Sequence, residues 1–133
     1  MSRLPMLFSI LALAAAPAAT EAADREVVVR FEAGTTSAAY KDSTRGYDMV
    51  SYILDARAGQ TLTIDFAASL GSCEFAVQRP DGQGNISDSL ANPSAFTAAL
   101  EDTGRYRVNV FLMRATARRG LTCFYSIRFE IRD

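Results

Sequence analysis

An alternation of apolar and polar residues, with a period of two, runs through most of this 133-residue chain. Such alternation is typical of half-buried β-strands, because successive side chains of a strand point to opposite faces of the sheet. It predicts strands at 27–33, 50–56, 61–67, 73–79, 105–113 and 121–131, with weaker strands at about 36–44 and 95–100. No amphipathic helix is predicted.

Each predicted strand has one apolar and one polar face, which is typical of antiparallel sheets. Seven or eight short strands with turn signals between them predict an all-β fold, an antiparallel β-sandwich resembling a jelly roll. The segment 79–94 is rich in Gly, Pro, Asn, Asp and Ser and is predicted to be a loop. It lacks the Asp-x-Asp spacing and terminal glutamate of an EF-hand, so we predict no calcium or other metal site.

Residues 1–22 have the three regions of a secretory signal peptide: one arginine, a short apolar stretch and small residues at the end. Cleavage is expected after Ala18 or Ala22, which leaves 23–133 as a single domain of a size that folds alone. No later stretch is long and apolar enough for a transmembrane helix, and no cysteine is available for a lipid anchor at the cleavage site. The predicted location is the periplasm.

The chain has two cysteines, Cys73 and Cys123, and an exported protein meets oxidising conditions. Cys73 alternates in phase with Phe75, and Cys123 in phase with Tyr125, so both thiols are expected to point into the core. We therefore predict an intramolecular disulfide bond between them. The alternative is a pair of buried free thiols.

The chain has no histidine, which excludes Ser-His-Asp and Cys-His catalysis and metal sites built from imidazole. Its carboxylates fall on polar faces or in turns, without a recognisable pair of the kind that a glycosidase needs. The sequence predicts a protein that is not an enzyme and that needs no cofactor.

Charge is distributed unevenly along the chain. From position 24 to 102 there are six basic and twelve acidic residues, a net charge of −6, whereas 105–133 has seven basic and two acidic residues, a net charge of +5. Arg114, Arg118 and Arg119 lie in a predicted loop, 113–120, between two long strands. The simplest explanation is a solvated basic surface. The alternative is a local anionic partner, and the patch is too small to predict nucleic-acid binding.

Three stretches resemble the periplasmic inhibitors of g-type lysozyme: "YILDARAGQTLTIDF" (52–66), "TGRYRVNVFLMRATARRG" (103–120) and "YSIRFEI" (125–131). The resemblance covers nearly all of 23–133, and "FLMRATARRG" is its most specific part. It implies an antiparallel β-sandwich that binds a g-type lysozyme by presenting basic and tyrosyl side chains to the active-site cleft. Arginine suits such a cleft because its planar guanidinium binds a carboxylate bidentately.

The resemblance also implies which residues contact the lysozyme. The members of this set are the turn residues Thr103, Gly104 and Tyr106, the arginines Arg114, Arg118 and Arg119, and, more weakly, Arg45 and Tyr47 of the "RGYD" turn. Tyr106 is also in phase with Val108, which is consistent with a place in the core instead.

Two other functions stay open at this point. The first is a non-catalytic module that binds an envelope protein or cell-wall glycan through the same arginine surface. The second is a glycan hydrolase, which the absence of a carboxylate pair disfavours. The sequence does not distinguish a monomer from a homodimer.

Overall fold

Two packed β-sheets form the body of the protein, with one short helix at the edge between them. The structure, a computed structural model, describes residues 23–82, 84–87 and 95–133, so the predicted signal peptide and part of the 79–94 loop lie outside it. The described elements are β1 (Asp24–Val28), β2 (Ser37–Arg45), β3 (Met49–Ala56), β4 (Thr61–Ala68), β5 (Cys73–Gln78), β6 (Asn85–Ser87), β7 (Ala95–Ala99), β8 (Gly104–Leu112), α1 (Arg114–Arg118) and β9 (Thr122–Arg132).

The first sheet has the strand order β1-β3-β8-β5-β6 and the second the order β2-β9-β4-β7. This arrangement confirms the predicted all-β sandwich. Every pairing is antiparallel except that of β1 with β3, which is parallel and was not predicted. The chain leaves the first sheet after β1, forms β2 in the second sheet and returns as β3, so β1 and β3 run in the same direction.

The inward faces of the two sheets form one core, as the alternation predicts. At its centre the hydroxyl groups of Tyr52 and Tyr125 lie 2.9 Å apart, and their rings meet edge to face. Burial raises the pKa of both tyrosines, which keeps both phenols neutral. The largest fully buried side chains include Tyr52, Tyr106, Phe75, Phe129, Leu54, Leu62 and Ile64.

The outer face of the first sheet is more buried than the alternation predicts. Ser51, Glu74 and Ala76 occupy positions that the alternation assigns to a polar face, yet all three are buried. The Ser51 hydroxyl donates to Asn109 Oδ1 across the β3–β8 pairing at 2.7 Å. All three residues stand on β3 or β5, which are interior strands of this sheet.

An ion pair closes one open side between the two sheets. Arg25 of β1 donates two hydrogen bonds of 3.0 Å to the carboxylate of Asp42 in β2, and a third of 2.8 Å to the Ser43 carbonyl. Partial burial acts to raise the pKa of Asp42, but the hydrogen bonds from Arg25 and Ser43 outweigh it, so the pKa is lowered. This bidentate pair holds the first strand to the second sheet.

Two elements were not predicted. The strand β6, Asn85–Ser87, lies inside the predicted 79–94 loop, and the helix α1, Arg114–Arg118, occupies the predicted 113–120 loop. Both are too short to produce a periodic pattern. In the described part of the chain no helix is long and apolar enough to cross a membrane.

Candidate functional site

One end of the sandwich brings together two segments that are distant in sequence. These are the β2–β3 turn, with Arg45 and Tyr47, and the α1 segment, with Arg114, Arg118 and Arg119; we call these five residues the basic end. The Gly46 amide donates to the Leu121 carbonyl at 3.0 Å, and Arg45 Nε donates to the Gly120 carbonyl at 3.1 Å. Gly46 has a φ of +58°, a left-handed conformation that glycine adopts readily. The weaker candidates Arg45 and Tyr47 therefore lie beside the arginine segment.

The helix α1 is attached to the body of the protein by residues other than its arginines. The Met113 amide donates to the Ser72 carbonyl at 2.9 Å, and the Thr116 hydroxyl donates to Ser72 Oγ at 2.7 Å. Ala117 is buried. Arg114 and Arg118, four residues apart, are neighbours on the helix surface, and both are exposed.

The arginines of the basic end differ in their ion pairing from the other arginines of the C-terminal stretch. Within residues 23–82, 84–87 and 95–133, no ion pair involves Arg45, Arg114, Arg118 or Arg119. The other arginines of the basic C-terminal stretch are paired; their partners are Asp55 for Arg105, Glu26 for Arg107, Asp65 and Glu130 for Arg128, and Glu130 for Arg132. Three carboxylates of earlier strands, those of Glu26, Asp55 and Asp65, thus offset part of the +5 net charge of that stretch, and its arginines without an acidic partner among the described residues are concentrated at this end.

The C-terminus of α1 favours the positive charge of two of these arginines. Arg118 lies in the last turn of α1, and Arg119 is its C-cap residue. The C-terminus of a helix carries partial negative charge on its free carbonyl groups, which favours cations. The guanidinium groups remain exposed, so their hydrogen-bond donors are available to a carboxylate or another anion.

The predicted disulfide bond between Cys73 and Cys123 is confirmed, and it lies at the base of the arginine segment. It joins β5 of the first sheet to β9 of the second, with the Cα atoms 6.3 Å apart. Cys73 follows Ser72, which anchors α1, and Cys123 is three residues beyond Gly120. Both supports of the arginine segment are therefore fixed by the same covalent link.

The "TGRY" candidates lie at the other end of the sandwich. Thr103 and Gly104 precede and begin β8, whereas Arg114 follows its end, and the nine residues of this strand span about 27 Å from first to last. Thr103 Oγ1 accepts a hydrogen bond of 2.9 Å from the Ala58 amide. A side chain at Gly104 would place its Cβ 2.7 Å from Pro80, so only glycine fits there.

Tyr106 is a core residue in the structure. It is 1% exposed, its hydroxyl donates to the Asp102 carbonyl at 2.6 Å, and the Asp102 amide lies 3.3 Å from the same oxygen. This is the arrangement of a tyrosine corner, in which a buried tyrosine closes the loop before its strand. Burial raises the pKa of Tyr106. Tyr106 therefore occupies the core position that is consistent with its alternation in phase with Val108.

The described residues contain no group of three Cys, Asp or Glu side chains that would hold a metal ion. Of the two aspartates in the predicted 79–94 loop, Asp81 lies in a turn in which the Arg79 amide donates to the Gly84 carbonyl at 3.0 Å. Asp88 lies outside the described residues.

The sequence analysis overlooked two exposed apolar residues at or near the basic end, Met113 and Phe124. A signal for Phe124 was present, because an aromatic residue stands in β9 at a position of the outward phase, between Thr122 and Ser126. Met113 gave no such signal, since it follows the last residue of its strand.

Comparisons with known proteins relate this chain to one group. No protein-family model matches it. A curated relative, the inhibitor of g-type lysozyme of Escherichia coli K12, is 26% identical over 127 residues, which are 93% of this chain and 94% of the relative.

The similarity extends to solved structures. The crystal structure of Aeromonas hydrophila PliG, a periplasmic inhibitor of g-type lysozyme, is 31% identical, with a TM-score of 0.71 over 84% of this chain and 100% of that one. Salmonella Typhimurium PliG is 26% identical, with a TM-score of 0.63 over 81% of this chain and 98% of that one. These relatives are inhibitor proteins and not enzymes, which supports the prediction of a non-enzymatic protein.

Proposed function

This chain belongs to the family of periplasmic inhibitors of g-type lysozyme, and on that premise we propose that it inhibits a g-type lysozyme by binding over its active-site cleft. The basic end supplies the contact surface, with Arg114, Arg118, Arg119 and Arg45 directed at carboxylates of the cleft and Tyr47 beside them. Binding is stoichiometric and involves no chemistry on the inhibitor.

The observation that carries this proposal is the set of four exposed arginines without an acidic partner among the described residues. A lysozyme cleft is concave and contains carboxylates. A guanidinium group forms bidentate, charge-assisted hydrogen bonds with a carboxylate, and these are the stronger class of hydrogen bond. A set of guanidiniums that have no acidic partner among the described residues is therefore complementary to such a cleft in charge.

The rigidity of the basic end supports the same proposal. The disulfide bond, the two hydrogen bonds to Ser72 and the contacts of Arg45 and Gly46 with 120–121 fix the segment before a partner arrives. Binding then orders little more than the ends of the arginine side chains, which reduces the entropic cost of association.

The proposed location is the periplasm, with residues 1–22 acting as the signal peptide. The mass of the protein recovered from a periplasmic extract would identify the cleaved bond, after Ala18 or after Ala22. Recovery of a full-length chain in the cytoplasmic fraction would contradict this location.

A lysis assay tests the inhibition. The purified mature protein is expected to slow the clearing of a peptidoglycan suspension by a g-type lysozyme, with c-type and i-type lysozymes measured in parallel. Arg118→Ala and Arg119→Ala are each expected to weaken inhibition about tenfold, because each removes a charge-assisted contact. Added salt should weaken inhibition by the wild-type protein, since it screens the attraction between charges.

Arg57→Ala is the matched control for these variants. Arg57 is equally exposed but pairs with Asp133, at 3.0 Å, at the opposite end of the sandwich. The Arg57→Ala variant should inhibit lysozyme as the wild type does. Absence of inhibition of any g-type lysozyme by micromolar wild-type protein would refute the proposed function.

A further inference from the structure

We infer that Phe124 and the groove beside it form an apolar anchor that extends the lysozyme-binding surface from the basic end onto the outer face of the second sheet. This inference rests on the proposed function, because the partner it names is the same lysozyme. It adds a residue and a surface that neither the resemblance nor the arginine cluster indicates.

Phe124 is unusual in being both highly exposed and rigidly held. Its side chain is 65% exposed, although it stands on β9, an interior strand of the second sheet. The Ser69 amide donates to the Phe124 carbonyl at 2.8 Å, and the Phe124 amide donates to Ser69 Oγ at 3.0 Å. Aromatic residues, phenylalanine among them, are enriched at protein–protein interfaces relative to the rest of the protein surface.

The ring borders an open groove of about 610 Å³. Small side chains form most of the lining of this groove (Ser43, Ala67, Ala68, Ser69 and Ser126), and Lys41, Asp42 and Tyr125 complete it with Phe124. A row of small residues next to a large ring forms a depression with one apolar wall. That shape accepts an apolar side chain projecting from a partner, and the hydroxyl groups around it can complete a polar rim.

The groove is continuous with the basic end. Phe124 pairs in register with Ser43 of β2, and the next outward pair along the same two strands is Thr122 with Arg45. Arg45 and Phe124 therefore occupy neighbouring positions on one face of the sheet, and a partner seated on the arginines is brought over the ring.

The size of the surface supports one large partner. Specific protein–protein interfaces bury about 800 Å² on each side, from roughly 20–30 residues. The five-residue helix α1 and the β2–β3 turn contribute far fewer residues than this. Of the four large apolar side chains that are well exposed in the described part, three (Tyr47, Met113 and Phe124) adjoin the arginine segment, and only Val28 lies elsewhere. An interface with aromatic and methionine anchors surrounded by arginines has the composition expected of a protein partner.

Affinity measurements with the g-type lysozyme that the wild type inhibits test this inference. Phe124→Ala is expected to raise Kd about tenfold or more, mainly through faster dissociation, with the salt dependence of the wild type retained. Ala67→Trp should weaken binding similarly by filling the groove. Val28→Ala is the matched control, because it shortens an apolar residue of β1 that is 54% exposed. This variant should bind as the wild type does. Equal melting temperatures of the variants verify their folding.

The outcomes separate this inference from the proposed function. If Phe124→Ala and Ala67→Trp bind as Val28→Ala does while Arg118→Ala binds weakly, the anchor is refuted and the inhibitor function stands. If the wild type binds no g-type lysozyme, both are refuted. A wild-type homodimer that Phe124→Ala dissociates, or peptidoglycan binding that it abolishes, with lysozyme affinity unchanged in either case, would assign the groove to another occupant and refute the anchor.

Discussion

Arginine and tyrosine residues occur near both ends of strand β8. At one end they are ion-paired or buried, and at the other they are exposed. At the beginning of the strand Arg105 pairs with Asp55 at 3.2 Å, and Tyr106 is buried and hydrogen-bonded to Asp102. Beyond its end Arg114 has no acidic partner among the described residues, and Tyr47, which lies nearby, is 58% exposed. The first set stabilises the fold, and the second is left available to a partner.

This difference shows that residue type alone is a poor guide to a binding site. An arginine whose charge is already neutralised by a neighbouring carboxylate has little to gain from a new partner, because binding must first break the existing pair. An arginine without such a neighbour gains the whole interaction. The distinction depends on which strands are adjacent in space, so it is visible only in the folded structure.

Removal of the disulfide bond should have the largest effect and should fall unequally on the two ends. The variant Cys73→Ala/Cys123→Ala is expected to lose about 4 kcal/mol of its free energy of unfolding, because the bridge closes a loop of about 50 residues. Chemical denaturation measures this loss. Relative to the wild type, hydrogen exchange in the folded variant should be accelerated more at 72–73 and 113–123 than at 55–60 and 102–106. Equal acceleration at both ends would contradict a specific role at the basic end.

Loss of the Tyr106 hydroxyl is the next largest effect, and it belongs to the opposite end. Tyr106→Phe should lower the free energy of unfolding by about 1 kcal/mol, since the partly buried hydrogen bond from the Tyr106 hydroxyl to the Asp102 carbonyl is lost. Lysozyme inhibition should not change. Tyr47→Phe is the matched control and should leave the free energy of unfolding unaltered, because Tyr47 is exposed. Weaker inhibition by Tyr106→Phe at unchanged stability would place the "TGRY" turn in the interface after all.

The smallest effect is expected at Thr103, which the resemblance implied as a contact residue. Thr103→Ala removes the acceptor for the Ala58 amide and should cost about 0.5–1 kcal/mol in the free energy of unfolding. Thr103→Ser keeps the hydroxyl and should behave as the wild type. A reduced affinity for lysozyme in Thr103→Ala, at full stability, would show that both ends of the sandwich take part in binding.

The strands were predictable because alternation is a local signal, and eight of the nine overlap the predicted segments. The phase of the alternation also placed Cys73 and Cys123 in one core. The parallel pairing of β1 was not predictable, since it follows from the path of β2 through the other sheet. The helix α1 and the strand β6 are too short to leave a pattern in the sequence.

The candidate site was predicted only in part. The arginines were identifiable as a group from their spacing in the sequence. Their separation from the "TGRY" turn was implicit in the predicted strand 105–113, since an extended strand of that length keeps its ends far apart. The approach of Arg45 to Gly120 depends on the packing of β2 against β9, and no local signal reveals it, whereas the outward phase of Phe124 is already visible in the sequence.

The way in which α1 is attached has a consequence for how this protein can change. Ala117, Thr116 and the backbone of Met113 hold the helix in place, whereas the side chains of Arg114, Arg118 and Arg119 make no ion pair in the described part of the chain. Substitutions at these three positions therefore cost the fold little. The surface that these arginines form can therefore change in sequence without prior stabilisation of the rest of the protein.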